Sequence, residues 1–333
     1  MIHDYLQKKI NDSYETLRLA ADISQEYYKK PLIITYSGGK DSDVLLELAI
    51  ECLNPNEFEV FNSHTTLDAP ETVYFIRDKF KMLNEKGIKA TIHYPHYPDG
   101  RPMSIWTLIV DKQMPPTRLA RYCCEKLKET KIPNSFIAVG VRESESVGRR
   151  GRDLFSARGK SKADYSSYSK EHIKEVFEDD KTRRLKSGVT NPNESGVYDC
   201  VFVQKAKKND ELIVNPIYKR LDSEIWQFIE DRGMKYNPLY DKGFSRVGCL
   251  GCPLSTSQVK TLEMYPKYKE QFIRSFQKMI EKRKADGKGE FIGKDGKPCW
   301  TDGEAVYRWW VQDDSIPGQM DIFDFIDKEE TEG

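Results

Sequence analysis

The feature that most constrains the fold is a short apolar run that ends in a pair of glycines. Residues 32–36 read Leu-Ile-Ile-Thr-Tyr, Gly38 and Gly39 follow at once, and a second apolar pattern begins at Val44. An apolar run of this length, followed by a turn and then by helical spacing, predicts a strand and a helix over 42–53. The carboxyl end of a buried strand therefore leads through a tight turn to the N-terminus of a helix.

A helix N-terminus of this kind favours anions, because its first N–H groups lack helical partners and the helix dipole is positive there. Two glycines let the backbone approach a ligand closely and adopt a positive φ angle at little cost. Ser37 and Ser42 add hydroxyl groups, Lys40 adds a positive charge, and Asp41 adds a carboxylate suited to Mg²⁺. We therefore expect this turn to bind the phosphate chain of a nucleotide, rather than to serve only as a structural turn.

Further along the chain, apolar runs of strand length alternate with helical patterns. Strands are predicted near 58–61, 89–93 and 136–140, and helices over 70–86 and 118–129. Strands that alternate with helices indicate βαβ units and a parallel sheet. We therefore predict an α/β fold with a doubly wound parallel sheet and a helical C-terminal region.

The C-terminal part is predicted to be mainly helical. Asp222 is expected to act as the N-cap of a helix over 223–232 that ends at Gly233. A long helical pattern covers 257–284, and a short one covers 302–311. Trp226 has helical spacing with neighbouring apolar residues, which indicates a core position rather than a ligand-binding one.

Changes in composition divide the chain into four stretches. A stretch rich in Ser, Lys, Asp, Asn and Gly interrupts the strand–helix alternation. Such a composition is typical of an insertion with partial flexibility. The predicted division is a nucleotide-binding core over 1–150, a polar insertion over 151–212, a cysteine-containing segment with the C-terminal helices over 213–312, and a flexible acidic tail over 313–333.

The bulk composition excludes some classes of protein. None of the 333 residues belongs to an apolar stretch near the ~20 residues of a membrane span, and no secretory signal pattern follows Met1. We therefore expect a cytoplasmic protein without a membrane partner. The net charge is zero, but six basic residues and one acid share the window 149–162. This run is either a solvated loop or a contact for a nucleic-acid backbone.

The hexapeptide from Ser37 to Ser42, Ser-Gly-Gly-Lys-Asp-Ser, resembles the SGGxDS signature of the PP-loop, or N-type ATP pyrophosphatase, superfamily. The spacing differs from the nucleotide-binding glycine motifs GxxxxGK[ST] and GxGxxG. The resemblance implies that ATP is cleaved between its α and β phosphates. An oxygen atom of the substrate would be adenylated, and pyrophosphate would leave.

Further segments resemble the family within this superfamily that includes PAPS reductase. Residues 140–149 match its GxRxxES…R segment through Arg142 and Arg149, while 215–217 and 236–243 match its NPI and YNPLYDxG segments. Arginine forks suit phosphate or sulfate oxygens, so the resemblance implies that both arginines bind such groups. The alternative is that they form surface ion pairs with neighbouring glutamates.

Four of the seven cysteines form two close pairs, which are Cys123-Cys124 and Cys249-x-x-Cys252. An odd cysteine count in a chain of this kind argues against a disulfide framework, and two thiol pairs suit a four-thiolate site. The pattern resembles the cysteines that hold a [4Fe–4S] cluster in assimilatory APS reductases and in DNA phosphorothioation ATP pyrophosphatases. A zinc site, a redox-active pair and unliganded packing remain open. Two adjacent cysteines can strain the geometry at a single metal, so Cys123 and Cys124 need not both be ligands.

The chain departs from the sulfonucleotide reductases at one position that matters for their reaction. It has no match to their ECGxH-type catalytic cysteine motif, and its last cysteine, Cys299, is followed by tryptophan. This departure counts against sulfonucleotide reduction, and the resemblance to the DNA phosphorothioation ATP pyrophosphatases implies a Mg-ATP-dependent pyrophosphatase with an iron–sulfur cluster. It would adenylate a nucleic acid, with DNA expected, for sulfur transfer from a separate persulfide donor. The alternatives are a sulfonucleotide reductase and a nucleotide-gated module that binds DNA or the sliding clamp without turnover.

The predicted tail contains Gln319-Met320-Asp321-Ile322-Phe323. This run resembles the QxxLF-type peptides with which bacterial DNA-processing proteins bind the sliding clamp. A flexible tail can present such apolar residues and become ordered on binding. The alternative is that the tail folds back and buries Ile322 and Phe323.

Overall fold

A computed structural model describes residues 2–128, 132, 135–145, 155–158, 211–289, 291–292 and 298–311. Arg149, most of the predicted insertion, Cys200, and the tail residues Gln319, Ile322 and Phe323 lie outside these ranges. The described residues group into two compact units, and neither unit is a single stretch of chain. The first unit comprises the described residues within Met1–Ser63, Pro70–His93 and Lys131–Val247, and the second comprises those within His64–Ala69, Tyr94–Thr130 and Gly248–Gly333.

The first unit contains a six-stranded sheet with the spatial order β3-β2-β1-β4-β6-β5. Five strands are parallel, and β5 pairs antiparallel to β6 at the sheet edge. The predicted α/β class and parallel sheet are therefore confirmed. The strands are β1 (Leu32–Thr35), β2 (Phe58–Ser63), β3 (Ala90–His93), β4 (Ser135–Ala138), β5 (Phe155–Arg158) and β6 (Glu211–Val214).

Helices connect the strands of the first unit and form most of the second. The first unit contains α1 (Ile2–Ile23), α2 (Lys40–Cys52), α3 (Pro70–Glu85) and α5 (Asp222–Asp231). The second contains α4 (Ile105–Lys112), α6 (Gln258–Met264), α7 (Pro266–Ala285) and α8 (Gly303–Val311). The predicted helical C-terminal region is therefore confirmed. No helix in the described part of the chain is long and apolar enough to cross a membrane.

The sheet order determines where a ligand can reach the first unit. The chain passes from β1 to β2 on one side, whereas β4 pairs with β1 on the other side. The connections after β1 and after β4 therefore diverge at the carboxyl ends of two adjacent strands. In open α/β sheets, this topological switch point is the usual ligand-binding crevice. Fully buried side chains such as Ile34, Phe58 and Phe136 fix these strands in the core.

The second unit has its own core, which is rich in aromatic side chains. Phe272 lies 4.6 Å from Trp310 and 4.9 Å from Trp106, measured between ring centroids, and all three belong to one apolar cluster. The single helix predicted over 257–284 is wrong, because the chain breaks before Pro266 into α6 and α7. A proline ring removes one backbone donor and clashes with the preceding turn, so it begins a helix better than it continues one.

Two further differences from the prediction lie in the second unit. The helix predicted over 118–129 is wrong in extent, because the described residues 118–128 contain only a short helical segment from 122, which includes a π-helical turn over Cys124–Lys128. Helix α4 was not predicted. It begins with a capping box in which the Ser104 hydroxyl accepts a hydrogen bond from the Thr107 N–H. This local signal identifies a helix start without the glutamate more usual at the third position.

Candidate functional site

The glycine turn after β1 has the geometry expected of a helix N-terminus that faces a ligand. Helix α2 begins at Lys40, and Gly39 is its N-cap. Gly38 has a φ angle of +73°, and a β-carbon added there would lie 3.0 Å from Cγ1 of Ile76. Gly39 has a φ angle of −96°, so of the two glycines only Gly38 requires the left-handed region.

The side chains of the turn hold its own backbone. The hydroxyl of Ser42 donates to the carbonyl of Gly39 at 2.7 Å and accepts from the N–H of Ser37 at 3.2 Å. The N–H of Lys40 donates to the phenolic oxygen of Tyr240 at 2.9 Å. The N–H groups of Ser37 and Lys40, which could donate to a phosphate oxygen, thus donate to side-chain oxygens of the protein.

Four charged side chains form what we call the charged array: Lys40, Asp41, Arg142 and Asp222. The ammonium nitrogen of Lys40 lies 3.1 Å from Oδ1 of Asp222 and 3.9 Å from Oδ2 of Asp41. The guanidinium of Arg142 binds Asp41 through Nε and Asp222 through Nη2, the latter at 2.7 Å. Both cations are nearly fully buried, and each contacts both carboxylates. The array has a formal charge of zero.

Arg142 reaches the array because β4 ends close to the start of α2. A β-carbon added at Gly140 would lie 3.1 Å from the backbone oxygen of Asp41, so the two segments approach as closely as a glycine allows. Two residues later, Nη1 of Arg142 donates to the hydroxyl of Ser144 at 3.0 Å. The structure therefore brings Arg142 together with Lys40 and Asp41, as the position of both segments after parallel strands suggests.

Asp222 was missed as a site residue, and its predicted role as an N-cap is wrong. Leu221 is the N-cap of α5, and Asp222 is the first residue of that helix. Partial burial opposes ionisation of Asp222, but the hydrogen bond and charge of Lys40, together with the charge of Arg142, outweigh it and lower its pKa. The carboxylate is therefore ionised at neutral pH.

Residues of the segment 236–243 hold the glycine turn in place. This role was not predicted from the sequence. The side-chain amide of Asn237 donates to the carbonyl of Gly38 at 2.9 Å and to the hydroxyl of Thr72 at 3.0 Å. Trp226 packs against the core, as predicted, but its ring also lies 5.9 Å from the Lys40 ammonium. The ring of Tyr240 lies 5.5 Å from the same ammonium. The sequence signal for Asn237 and Tyr240 is that both belong to the segment 236–243, which resembles the PAPS reductase family.

A second buried acid lies behind the turn. Asp43 is 1% exposed and accepts a hydrogen bond from the hydroxyl of Tyr36 at 2.7 Å. Burial raises its pKa to about 6, although the ammonium of Lys79 lies 3.6 Å away and opposes the shift. Asp43 therefore links the end of β1 to helices α2 and α3 through one titratable group.

All four cysteines of the two close pairs belong to the second unit. Cys123 and Cys124 are hydrogen-bonded to each other, which raises the pKa of Cys123 and lowers that of Cys124 to about 6, with Arg121 also favouring the Cys124 thiolate. Burial raises the pKa of Cys249 to about 12, and its thiol contacts the hydroxyl of Thr65 at 3.7 Å. A neighbouring thiolate contributes a further small rise to each of two pKa values, from Cys249 on Cys123 and from Cys252 on Cys249.

The donor types of these four side chains suit an iron–sulfur cluster or zinc, but their arrangement does not form a metal site. Among the described residues, no three His, Cys, Asp or Glu side chains lie close enough together to hold a metal ion. Cys124 instead lines a cavity of about 530 Å³ together with Lys112, Leu119 and Arg121. The predicted metal role of Cys123, Cys124, Cys249 and Cys252 therefore stays a prediction.

Two other cysteines have local structural partners. Burial raises the pKa of Cys52 to about 12, and its side chain packs against the core of the first unit. The thiol of Cys299 contacts the backbone carbonyl of Phe291 at 3.4 Å, and the side chain packs against the core of the second unit.

Comparison with known proteins identifies relatives of this chain. Residues 31–255 match the model of the phosphoadenosine phosphosulfate reductase domain. An uncharacterized protein of Methanocaldococcus jannaschii is 23% identical over 282 residues, which is 82% of this chain and 55% of that protein. An adenosine 5′-phosphosulfate reductase of Oceanobacillus iheyensis is 33% identical over 58 residues, which is 17% of this chain and 23% of the enzyme.

Among solved structures, a phosphoadenylyl-sulfate reductase from Candida auris in complex with phosphate has a TM-score of 0.40. It is 13% identical, and the match covers 71% of this chain and 87% of that chain. The chain spans about half the length of the first curated relatives that it matches. Because the family model covers more than half of the chain, this protein belongs to the phosphoadenosine phosphosulfate reductase domain family.

Proposed function

We propose that this protein is a Mg-ATP-dependent pyrophosphatase that adenylates an acceptor for sulfur transfer. The observation that carries the proposal is the charged array, which lies at the carboxyl ends of β1 and β4 beside the N-terminus of α2. Two buried cations, a helix dipole and a glycine with positive φ suit a chain of phosphates. Family membership supports a nucleotide as the ligand.

The proposed reaction is a substitution at the α-phosphorus of ATP. An acceptor oxygen forms a bond to that phosphorus, and the bond from the phosphorus to the oxygen that bridges the α and β phosphates breaks. Pyrophosphate leaves with the bonding electron pair, and the acceptor is left carrying AMP. Lys40 and Arg142 would stabilise the charge that develops on the leaving pyrophosphate. Asp41 and the turn residues Ser37, Gly38, Gly39 and Ser42 would position Mg-ATP, so catalysis would be mainly positional and electrostatic.

We propose a nucleic acid as the acceptor, with DNA as the first polymer to test, and a separate persulfide protein as the sulfur donor. The support is the resemblance of the paired cysteines to those of the DNA phosphorothioation ATP pyrophosphatases. The basic run over 149–162 would contact the polymer backbone, with Arg149 in this role or on the nucleotide. The tail residues Gln319, Ile322 and Phe323 would bind a sliding clamp.

We also propose that the second unit binds a [4Fe–4S] cluster, with Zn²⁺ as the alternative metal. Thiols are the preferred protein ligands of both, and four lie in one unit, although they would have to move to converge. Iron, sulfide and zinc contents of anaerobically purified protein test this proposal. For a [4Fe–4S] cluster we expect about four iron atoms per chain. Cys249→Ser should lose this iron, whereas Cys52→Ser should retain it. Absence of both metals from fully folded protein would contradict it.

The test of the enzymatic proposal is pyrophosphate release from Mg-ATP by anaerobically purified protein. The reaction is run alone, with duplex DNA, with tRNA and with sulfate-containing nucleotides. We expect DNA to stimulate release and Lys40→Ala to abolish it, while Lys86→Ala, an exposed lysine after α3, retains it. No release under any condition, with ATP nevertheless bound, would contradict turnover and favour a nucleotide-gated binding module.

One observation favours a second candidate, a sulfonucleotide reductase. A short segment of the chain is 33% identical to a known adenosine 5′-phosphosulfate reductase. Such a reaction requires a thiol that attacks the sulfate sulfur. Cys299 is an unfavourable choice, because its thiol contacts a backbone carbonyl and packs in the core of the second unit. Sulfite formation from a sulfonucleotide and an added thiol, without pyrophosphate release from ATP, would favour the reductase.

A further inference from the structure

The carboxylate of Asp222 lies between two cations that a phosphate group would otherwise bind. Its Oδ1 atom is 3.1 Å from the Lys40 ammonium and 2.7 Å from Nη2 of Arg142. A carboxylate and a phosphate present oxygens of similar geometry to a guanidinium fork. Asp222 therefore makes the contacts that an oxygen of a bound phosphate chain would make.

Asp222 differs from Asp41, the other acid of the charged array, in a way that suits displacement. The side chain of Asp222 is 57% exposed, whereas that of Asp41 is 21% exposed, and the two cations are 4% exposed. Asp222 also comes from α5 rather than from the glycine turn itself. Rotation of its side chain would release both cations without movement of the turn.

Displacement would leave the carboxylate in a favourable position. Asp222 is the first residue of α5, and the N-terminus of a helix stabilises a negative charge. The N-terminus of α5 would therefore still stabilise the negative charge of the displaced carboxylate while a phosphate chain binds Lys40 and Arg142.

We propose that Asp222 is a positioning residue that competes with pyrophosphate for Lys40 and Arg142 and so promotes release of this product. This inference rests on the proposed function, because it assigns the leaving group of that reaction to these two cations. While the carboxylate is bound, the array is neutral; once its charge is removed, the array carries a net positive charge. A neutral array holds a free polyanion less tightly than a positive one does.

The test is a calorimetric titration of inorganic pyrophosphate into the wild-type protein and into Asp222→Asn. Removal of one charge within about 5 Å of the bound anion is expected to tighten pyrophosphate binding by about tenfold at low salt. The difference should shrink at high salt, because the Debye length falls to about 3 Å at 1 M. A role limited to folding would weaken binding rather than tighten it.

Three further variants keep the test decisive. Asp222→Ser removes the charge with a different side chain, and it replaces Asp222→Asn if the latter fails to fold. Asp222→Glu retains the charge and should restore binding toward the wild-type value. Asp231→Asn removes an exposed carboxylate at the other end of α5, and it should bind pyrophosphate as the wild type does.

Binding of Mg-ATP to the wild-type protein is measured in the same series, and it tests the proposed function separately. No binding of Mg-ATP by the wild type would contradict the proposed function. Equal or weaker pyrophosphate binding by folded Asp222→Asn, with wild-type Mg-ATP binding intact, would overturn the role of Asp222 and leave the proposed function standing.

Discussion

At the scale of single residues, the turn after β1 depends on groups whose conformation or charge is costly to change. Gly38 has a backbone angle that other residues rarely adopt, and Asp43 is an acid buried behind the turn. The need for glycine could be predicted from the sequence, because a glycine pair follows a strand. The burial of Asp43 could not, because an acid in the first turn of a helix is ordinarily exposed and favoured there.

Gly38→Ala is expected to destabilise the fold and to abolish nucleotide binding. The new methyl group combines an unfavourable φ with a 3.0 Å approach to Ile76, so we expect a loss of about 2–3 kcal/mol in the free energy of unfolding. Gly87→Ala is the matched control, since its φ is +80° and no atom lies within 4 Å of the added carbon. It should cost about 1 kcal/mol and leave ATP binding unchanged. Equal effects of the two substitutions on binding would contradict a special role for Gly38.

Asp43→Asn tests the buried acid through the pH dependence of stability. Because the folded-state pKa of about 6 lies above the ordinary value of 3.8, Asp43 stabilises the native state fully below pH 3.8. That contribution is lost as pH rises through 6. Urea unfolding from pH 4 to pH 7 should therefore show the wild type losing about 2 kcal/mol relative to Asp43→Asn, because part of the effect is already lost at pH 4. Asp78→Asn, an exposed acid on α3, corrects for general charge effects. A constant difference between wild type and Asp43→Asn would contradict the raised pKa.

At the scale of elements, the strand–turn–helix units were predictable, and their partners were not. Alternation of apolar runs with helical spacing is a local property, so β1, β2, β3, β4 and the helices α2 and α3 follow from the sequence, whereas α4 was missed. Asp222 and Asn237 join the site through contacts with residues 182 and 199 positions away, respectively. No local pattern carries such contacts, and Asp222 instead matches the local pattern of a helix N-cap, one residue away from its true position.

Asn237→Ala tests whether segment 236–243 holds the glycine turn. The variant loses three buried hydrogen bonds and leaves the carbonyl of Gly38 and the N–H of Leu239 without these partners, which should cost about 1–3 kcal/mol of stability and weaken ATP binding. Asn84→Ala is the control, because Asn84 also bonds backbone groups on both sides of a turn but lies at the end of α3, away from the glycine turn. It should lose stability and keep its affinity for ATP. A loss of affinity in both variants would show that destabilisation alone weakens binding.

At the scale of the whole molecule, the resemblance to the PAPS reductase family is confirmed, and so is the α/β class. What the sequence could not reveal is that His64–Ala69 and Tyr94–Thr130 group with the C-terminal helices rather than with the strands that flank them. The aromatic contacts that draw them together, such as Trp106 with Phe272, are long-range and depend on side-chain packing. The four cysteines of the predicted metal site all belong to that unit. Whether their thiols converge depends on how the unit packs, and the spacing of cysteines in the sequence does not specify this packing.

Cleavage of ATP between the α and β phosphates, the reaction proposed for this protein, leaves a nucleotide product whose identity can be measured. Wild-type protein, Asp41→Asn and Asp78→Asn are incubated anaerobically with Mg-ATP and duplex DNA, and the phosphorus-containing products are identified by nuclear magnetic resonance and mass spectrometry. We expect pyrophosphate, with AMP free or attached to the acceptor, from the wild type and from Asp78→Asn, and neither product from Asp41→Asn. Formation of ADP and inorganic phosphate, or unchanged product formation by Asp41→Asn, would contradict it.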